Sequence, residues 1–111
     1  MSKQQADLFK QGTLELVILR LLSSGSLNGW DIMQRMQLMS GEVLTVTAGA
    51  LYPALHRLEA RGLISAMWRP SENNRKAKFY GLTVRGRKQL EQQRKQWEQF
   101  SDAVALILRD A

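Results

Sequence analysis

The chain has 111 residues, with 16 Lys and Arg against 10 Asp and Glu for a net charge of +6, no cysteine and one histidine. That length buries one modest core and leaves no room for a second enzyme domain. The missing cysteines and solitary histidine exclude disulfides, thiolate chemistry and zinc sites, so neither a cofactor nor a metal is expected and an enzyme is a remote reading.

The N-terminal run Met1-Ser-Lys-Gln-Gln-Ala-Asp7 lacks an apolar signal core, and no apolar run approaches a membrane span. A soluble, cytoplasmic protein with no membrane contact is expected. Within 8–22, Leu14, Val17, Ile18, Leu21 and Leu22 repeat at i, i+3, i+4 and i+7, which predicts a helix burying one face, widened by Leu16 and Leu19. Thr13 is its expected N-cap and Ser23-Ser24-Gly25 its stop. A second helix is expected from Asn28 to Met39, capped by Asn28, with Ile32, Met36 and Met39 inward and Met33 and Leu38 also filling core. Ser40-Gly41 ends it, and residues 42–47 form an extended link.

Thr47 can cap a third helix, Thr47-Ala-Gly-Ala-Leu-Tyr-Pro-Ala-Leu-His-Arg-Leu-Glu-Ala-Arg-Gly62. Pro53 sits deep for a helix starting at residue 48, because its missing N–H forfeits the bond to the Gly49 carbonyl; a later start or an irregular first turn is expected. Leu51, Leu55 and Leu58 form the buried stripe, leaving Ala50, Tyr52, Pro53, His56 and Arg57 outward.

Residues 63–83 read as two short strands joined by a polar tip. Positions 69–78 carry Arg69, Arg75, Lys76 and Lys78 against the single acid Glu72, which is half of the chain's positive excess. Such a concentrated cationic tip suits a polyanion, since each neutralised phosphate releases counterions; the plainer alternative is a solvated loop. Thr83 then caps a last helix running to about Arg109, roughly 40 Å at 1.5 Å per residue. Leu90, Trp97 and Val104 recur every seven residues on it, with Phe100 and Ile107 on the neighbouring seam and Leu106 and Leu108 widening the end. That seam calls for a partner, either the same helix or the first helix of a second subunit.

The order helix, helix, helix, strand, strand, helix predicts a mostly α (α+β) fold: a winged helix-turn-helix with a two-stranded wing, residues 1–82, and a long C-terminal dimerisation helix, residues 83–111. In that order, Gly12-Thr-Leu-Glu-Leu-Val-Ile-Leu19, Gly29-Trp-Asp-Ile32, Gly49-Ala-Leu-Tyr-Pro-Ala-Leu-His-Arg-Leu-Glu59, Gly62-Leu-Ile64, Trp68, Arg75-Lys-Ala-Lys-Phe-Tyr-Gly-Leu-Thr83, Gly86 and Trp97 resemble the PadR family of bacterial transcriptional regulators, in its short form with one C-terminal helix. The likeness covers nearly the whole chain.

The resemblance implies that the Leu-Tyr-Pro motif opens the recognition helix, with Tyr52 touching a DNA phosphate. It implies a homodimer whose C-terminal helix packs on the first and last helices of the other subunit, and repression of genes for efflux, permeation or detoxification. It also implies that Trp97 can line an inter-subunit pore that stacks flat aromatic compounds. Trp30 stands where relatives usually carry tyrosine, an aromatic expected to pack beneath the helix-turn-helix.

The DNA-binding candidates are therefore Thr47, Ala50, Tyr52, Pro53, His56, Arg57, Asn73, Asn74, Arg75, Lys76 and Lys78. Tyr52 shares a face with His56 rather than with the leucine stripe. Arg57 either reads a base edge or pairs with a nearby acid such as Glu59. Trp68 is expected to pack. Leu90, Trp97, Phe100, Val104, Ile107 and Leu108 are the dimerisation and possible ligand residues, Trp97 being either the dimer's anchor or a stacking platform for a small aromatic effector. The expected function is a DNA-binding repressor acting on an inverted repeat as a homodimer, released by a small ligand. A ligand-binding dimeric sensor or scaffold, with DNA binding secondary, is the competing class.

Overall fold

The computed structural model describes residues 11–109. Helix α1 (Gln11–Leu22) leads through the two-residue strand β1 (Leu27–Asn28) into α2 (Gly29–Met39), and a loop connects to α3 (Ala48–Ala60). Strands β2 (Ile64–Pro70) and β3 (Lys76–Leu82) form a hairpin, and α4 (Val84–Arg109) closes the chain. The winged helix-turn-helix with its long last helix is the fold observed. The sheet gains a third strand that the sequence pattern does not announce: β1 pairs antiparallel with β3, Leu27 opposite Tyr80, giving the order β1-β3-β2. Two residues are too few to display an alternation.

The core lies where α1, α2 and α3 meet the sheet. Ile18, Leu19, Ile32, Leu51, Leu55 and Leu58 are fully buried, and Tyr80 of β3 joins them. Asn28 caps α2 by accepting from the Asp31 backbone N–H at 2.8 Å, and Thr47 caps α3 through Ala50 at 3.3 Å, satisfying donors that a helix start leaves without intrahelical partners. Thr13, by contrast, lies inside α1, which is already helical at Gln11, so it is not the cap. The part of the expected first helix before residue 11 lies outside the described residues, as does the N-terminal run.

Pro53 does not delay α3. The helix runs unbroken from Ala48, and its first turn adjusts by sharing a carbonyl, that of Thr47, which accepts from Ala50 at 3.1 Å and Leu51 at 2.9 Å. Gly49 is exposed, so water reaches the carbonyl that Pro53 cannot bond. On α2, Ile32 and Met36 are buried and Met33 packs partly, but Leu38 and Met39 are exposed and do not fill core. Met39 continues the Ile32–Met36 row but faces an open groove instead of packed core.

Helix α4 is fastened at its start. Thr83 Oγ1 accepts from the Gly86 N–H at 2.9 Å and donates to the Gly62 carbonyl at 2.7 Å. A Cβ on Gly86 would collide with the Leu63 carbonyl, so only glycine allows α4 this close to the start of β2. Leu90, expected on the unpartnered seam, is instead buried in the chain's own core. Beyond it the helix projects. The chain's extents are 55 × 34 × 21 Å and its radius of gyration is 15.2 Å, against ~13 Å for a compact chain of this length. No helix among the described residues is long and apolar enough to cross a membrane.

Candidate nucleic-acid interface

The leucine stripe that buries one face of α3 forces the opposite face outward: Thr47, Ala50, Tyr52, Pro53 and His56 are all exposed. Arg57 is set back. Its Nε donates to Glu15 Oε2 at 2.9 Å, and Arg61 Nη1 donates to Glu15 Oε1 at 3.1 Å. The acid that Arg57 pairs with is thus Glu15 of α1 rather than Glu59. Glu15 is only 5 % exposed, and a buried carboxylate with each oxygen hydrogen-bonded to an arginine is a satisfied one. The clamp ties the outer helix α3 to α1. Its signal in sequence is spacing, since Glu15 lines up with Ile18, Leu19 and Leu22 on one face of α1.

The wing is narrower than the expected basic tip. Arg69 and Lys78 belong to paired strands, Arg69 opposite Ala77 and Trp68 opposite Lys78, so the turn itself is Ser71–Arg75. Asn74 N–H bonds the Ser71 carbonyl at 3.0 Å, Ser71 N–H bonds the Arg75 carbonyl at 2.6 Å, and Asn74 takes φ of 62°. Asparagine tolerates this left-handed conformation at the end of a three-residue hairpin loop. Asn73, Asn74, Arg75 and Lys76 all remain exposed. Two of the hairpin's cations have partners within it or beside it: Arg69 lies 4.3 Å over the Phe79 ring, and Lys78 Nζ lies 3.9 Å from Glu59 Oε1 and 5.6 Å over the Tyr80 ring. Arg75 in the turn and Lys76 at the start of β3 are exposed, as are Arg69 on β2 and the acid Glu72 in the turn.

Between α3 and the wing runs an open cleft of about 570 Å³ that brings Tyr52 and His56 together with Lys76 and Lys78. Tyr52 leans across the start of α2, where a Cβ on Gly29 would strike its hydroxyl. Trp30 and Trp68 also border this cleft and are each 65 % exposed. Trp30 therefore does not pack beneath the helix-turn-helix, and Trp68 does not pack into the core: both sit on the outward surface. Tyr80, at the cleft's floor, has its phenol pushed above the ordinary 10.0, first by burial and then by the Glu59 carboxylate and Tyr52.

A second surface lies on the other side. Along α4, Trp97 is 45 % exposed and its ring centroid is 6.3 Å from that of Phe100. Phe100, Leu106, Ile107 and Leu108 are exposed and Val104 is half-buried. Trp97 also lines an open apolar groove of about 320 Å³, together with Leu16 and Val17 of α1 and Met36 and Met39 of α2. Among the described residues, no cluster of three or more His, Cys, Asp or Glu side chains is placed to hold a metal.

The model of the transcriptional regulator PadR-like family matches residues 18–92. Transcriptional regulator YqjI of Escherichia coli is 30% identical over 96 residues, 86% of this chain but 44% of that protein, so the chain spans less than half of this relative's length. A PadR-like transcription factor from Bacteroides fragilis superimposes with a TM-score of 0.73 at 31% identity, covering 96% of this chain and 97% of the other. A PadR-like transcriptional regulator from Bacillus cereus gives a TM-score of 0.76 at 29% identity, covering 87% and 92%.

Proposed function

Because this chain belongs to the PadR-like family of transcriptional regulators, we propose that it represses transcription in the cytoplasm by binding an inverted-repeat operator as a homodimer. Members of that family regulate transcription rather than turn over a substrate. The observation that carries the reading is the convergence of the outward face of α3 and the basic wing on one cleft. In the complex, α3 enters the major groove with Thr47, Ala50, Tyr52, Pro53 and His56 at its leading face, while Asn73, Asn74, Arg75 and Lys76 reach the adjoining backbone and minor groove. Lys78 supports the wing from the strand.

Arg57 is the side chain that reads a base edge. Glu15 holds its Nε, and a guanidinium has further donors for guanine. The apolar stripe of Trp97, Phe100, Ile107 and Leu108, exposed apart from the half-buried Val104 within it, supports pairing through α4, since contiguous apolar surface of this kind marks an interface. A dimer built this way sets the two α3 helices about one DNA turn apart. The apolar groove lined by Trp97 supports a small aromatic effector that alters their separation.

A gel shift tests the central claim. The DNA upstream of the chain's own gene is expected to be retained in preference to random duplex, with an affinity that falls as salt rises. Equal retention of both at every salt concentration would remove the operator-binding reading and favour the ligand sensor.

A further inference from the structure

We infer that the cleft between α3 and the wing seats one sugar–phosphate strand of the DNA, with Trp30 and Trp68 as its aromatic walls. The inference rests on the DNA-binding reading above and adds two residues to the interface. Trp30 comes from the first turn of α2 and Trp68 from β2, yet both border the cleft that holds Tyr52, His56, Lys76 and Lys78. Each is 65 % exposed, whereas a tryptophan ordinarily buries most of a large apolar surface. Two such residues bordering one basic cleft form a surface suited to a ligand that is part anionic and part apolar.

A DNA strand has that alternation, phosphate then deoxyribose. Geometry makes it the occupant. If α3 lies in a major groove and the wing in the neighbouring minor groove, the strand that separates those grooves must pass between them, which is where the cleft runs. Lys76, exposed beside the turn, faces the phosphates; Lys78 is partly balanced by Glu59 at 3.9 Å. An indole offers an apolar face to a sugar and one N–H donor to a phosphate oxygen. Because sugar and phosphate carry no sequence information, these contacts hold the register of the protein on any duplex.

The test uses Trp30→Ala and Trp68→Ala in the full chain, with binding to a mixed-sequence duplex of about 25 base pairs measured across a salt series. Each is expected to weaken binding about tenfold, the scale of one hydrogen bond to a charged group. The slope of log K against log salt should stay that of the wild type, since a neutral side chain releases no counterion. Trp→Phe at either position should recover part of the affinity, and unchanged thermal melting of the alanine variants would exclude misfolding. In a Trp97→Phe protein the remaining emission, from Trp30 and Trp68, should change when duplex is added. Wild-type affinity in both alanine variants would overturn the inference while leaving the DNA reading intact. So would a change in oligomeric state with binding unaffected, which would assign the two tryptophans to a protein contact. A wild-type protein that binds no duplex at all would instead overturn the broader reading, and this inference with it.

Discussion

Glu15 of α1 and Arg57 of α3 are 42 positions apart and joined by a 2.9 Å hydrogen bond, with Arg61 taking the other carboxylate oxygen at 3.1 Å. Removing the acid leaves two arginines that are 39 % and 49 % exposed, so they turn to solvent and the loss is moderate. Glu15→Gln, which keeps the volume and removes the charge, should cost roughly 1–2 kcal/mol. That lowers the melting temperature by about 4–9 °C for a domain of this size. Differential scanning calorimetry checks it; a melting temperature equal to wild type would mean that the clamp contributes nothing net, as some ion pairs do. Arg57→Ala should cost at least as much, because it leaves the buried Glu15 Oε2 without its donor, and its informative readout is base preference on point-mutated operators.

Of the eight glycines, Gly86 is the one where an added Cβ meets the closest obstacle. The obstacle to a side chain there is the backbone carbonyl of Leu63, which cannot swing aside as a side chain can. Gly86→Ala should therefore destabilise by more than about 2 kcal/mol, although alanine favours helix elsewhere. Gly29→Ala meets only the end of the Tyr52 side chain. It should leave chemical denaturation close to wild type, displace Tyr52 and weaken DNA retention in a filter-binding assay.

Arg75 and Lys76 are exposed at the wing's turn. Replacing either with alanine should reduce the slope of log K against log salt by about 0.9 for each phosphate that the wing no longer neutralises. Slopes identical to wild type in both variants would show that the wing stays off the DNA.

The exposed end of α4 predicts a concentration-dependent dimer. Ile107→Asp, at a residue 72 % exposed in the single chain, should shift sedimentation toward monomer while leaving the helical circular dichroism signal unchanged. A dimer of undiminished affinity would place the subunit contact elsewhere.

Tyr80 sets an alkaline limit. Its phenol is raised above 10.0 in the folded chain, by burial first and then by Glu59 and Tyr52. Below pH 10 both folded and unfolded forms are protonated and the group makes no pH-dependent difference. Between pH 10.0 and the raised folded value the unfolded chain alone loses its proton, so stability should fall across that window. In Tyr80→Phe, denaturant melts should show a shallower alkaline decline; an equal decline would assign it to other groups.

Much of this molecule is legible in its sequence where the deciding physics is local. The caps at Asn28, Thr47 and Thr83 follow from side chains that reach a backbone N–H three positions on. The leucine stripe of α3 follows from its period. Features that depend on a second element are not legible in this way. Met39 keeps the spacing of a core residue, but exposure is decided by whether something covers it. Leu90 reads equally well as a heptad position and as a core position, and only the packing of α4 on α1 distinguishes them. Trp30 and Trp68 are apolar by type, and their place beside the wing cleft follows from tertiary geometry that no local pattern encodes. Glu15 stands out in a row on α1 that is otherwise apolar, but its partners lie on another helix.

Helix α4 has its last buried anchor at Leu90 and continues to Arg109. Those outer residues extend about 28 Å from the anchor. A rotation of about 10° about Leu90 therefore carries the far end through roughly 5 Å, more than the ~3.4 Å rise of one base pair. The helix is a lever arm with its fulcrum inside the core. A small repacking around Leu90 is magnified along it into a displacement larger than one base-pair step, which in the proposed dimer would carry the second subunit out of phase with the DNA.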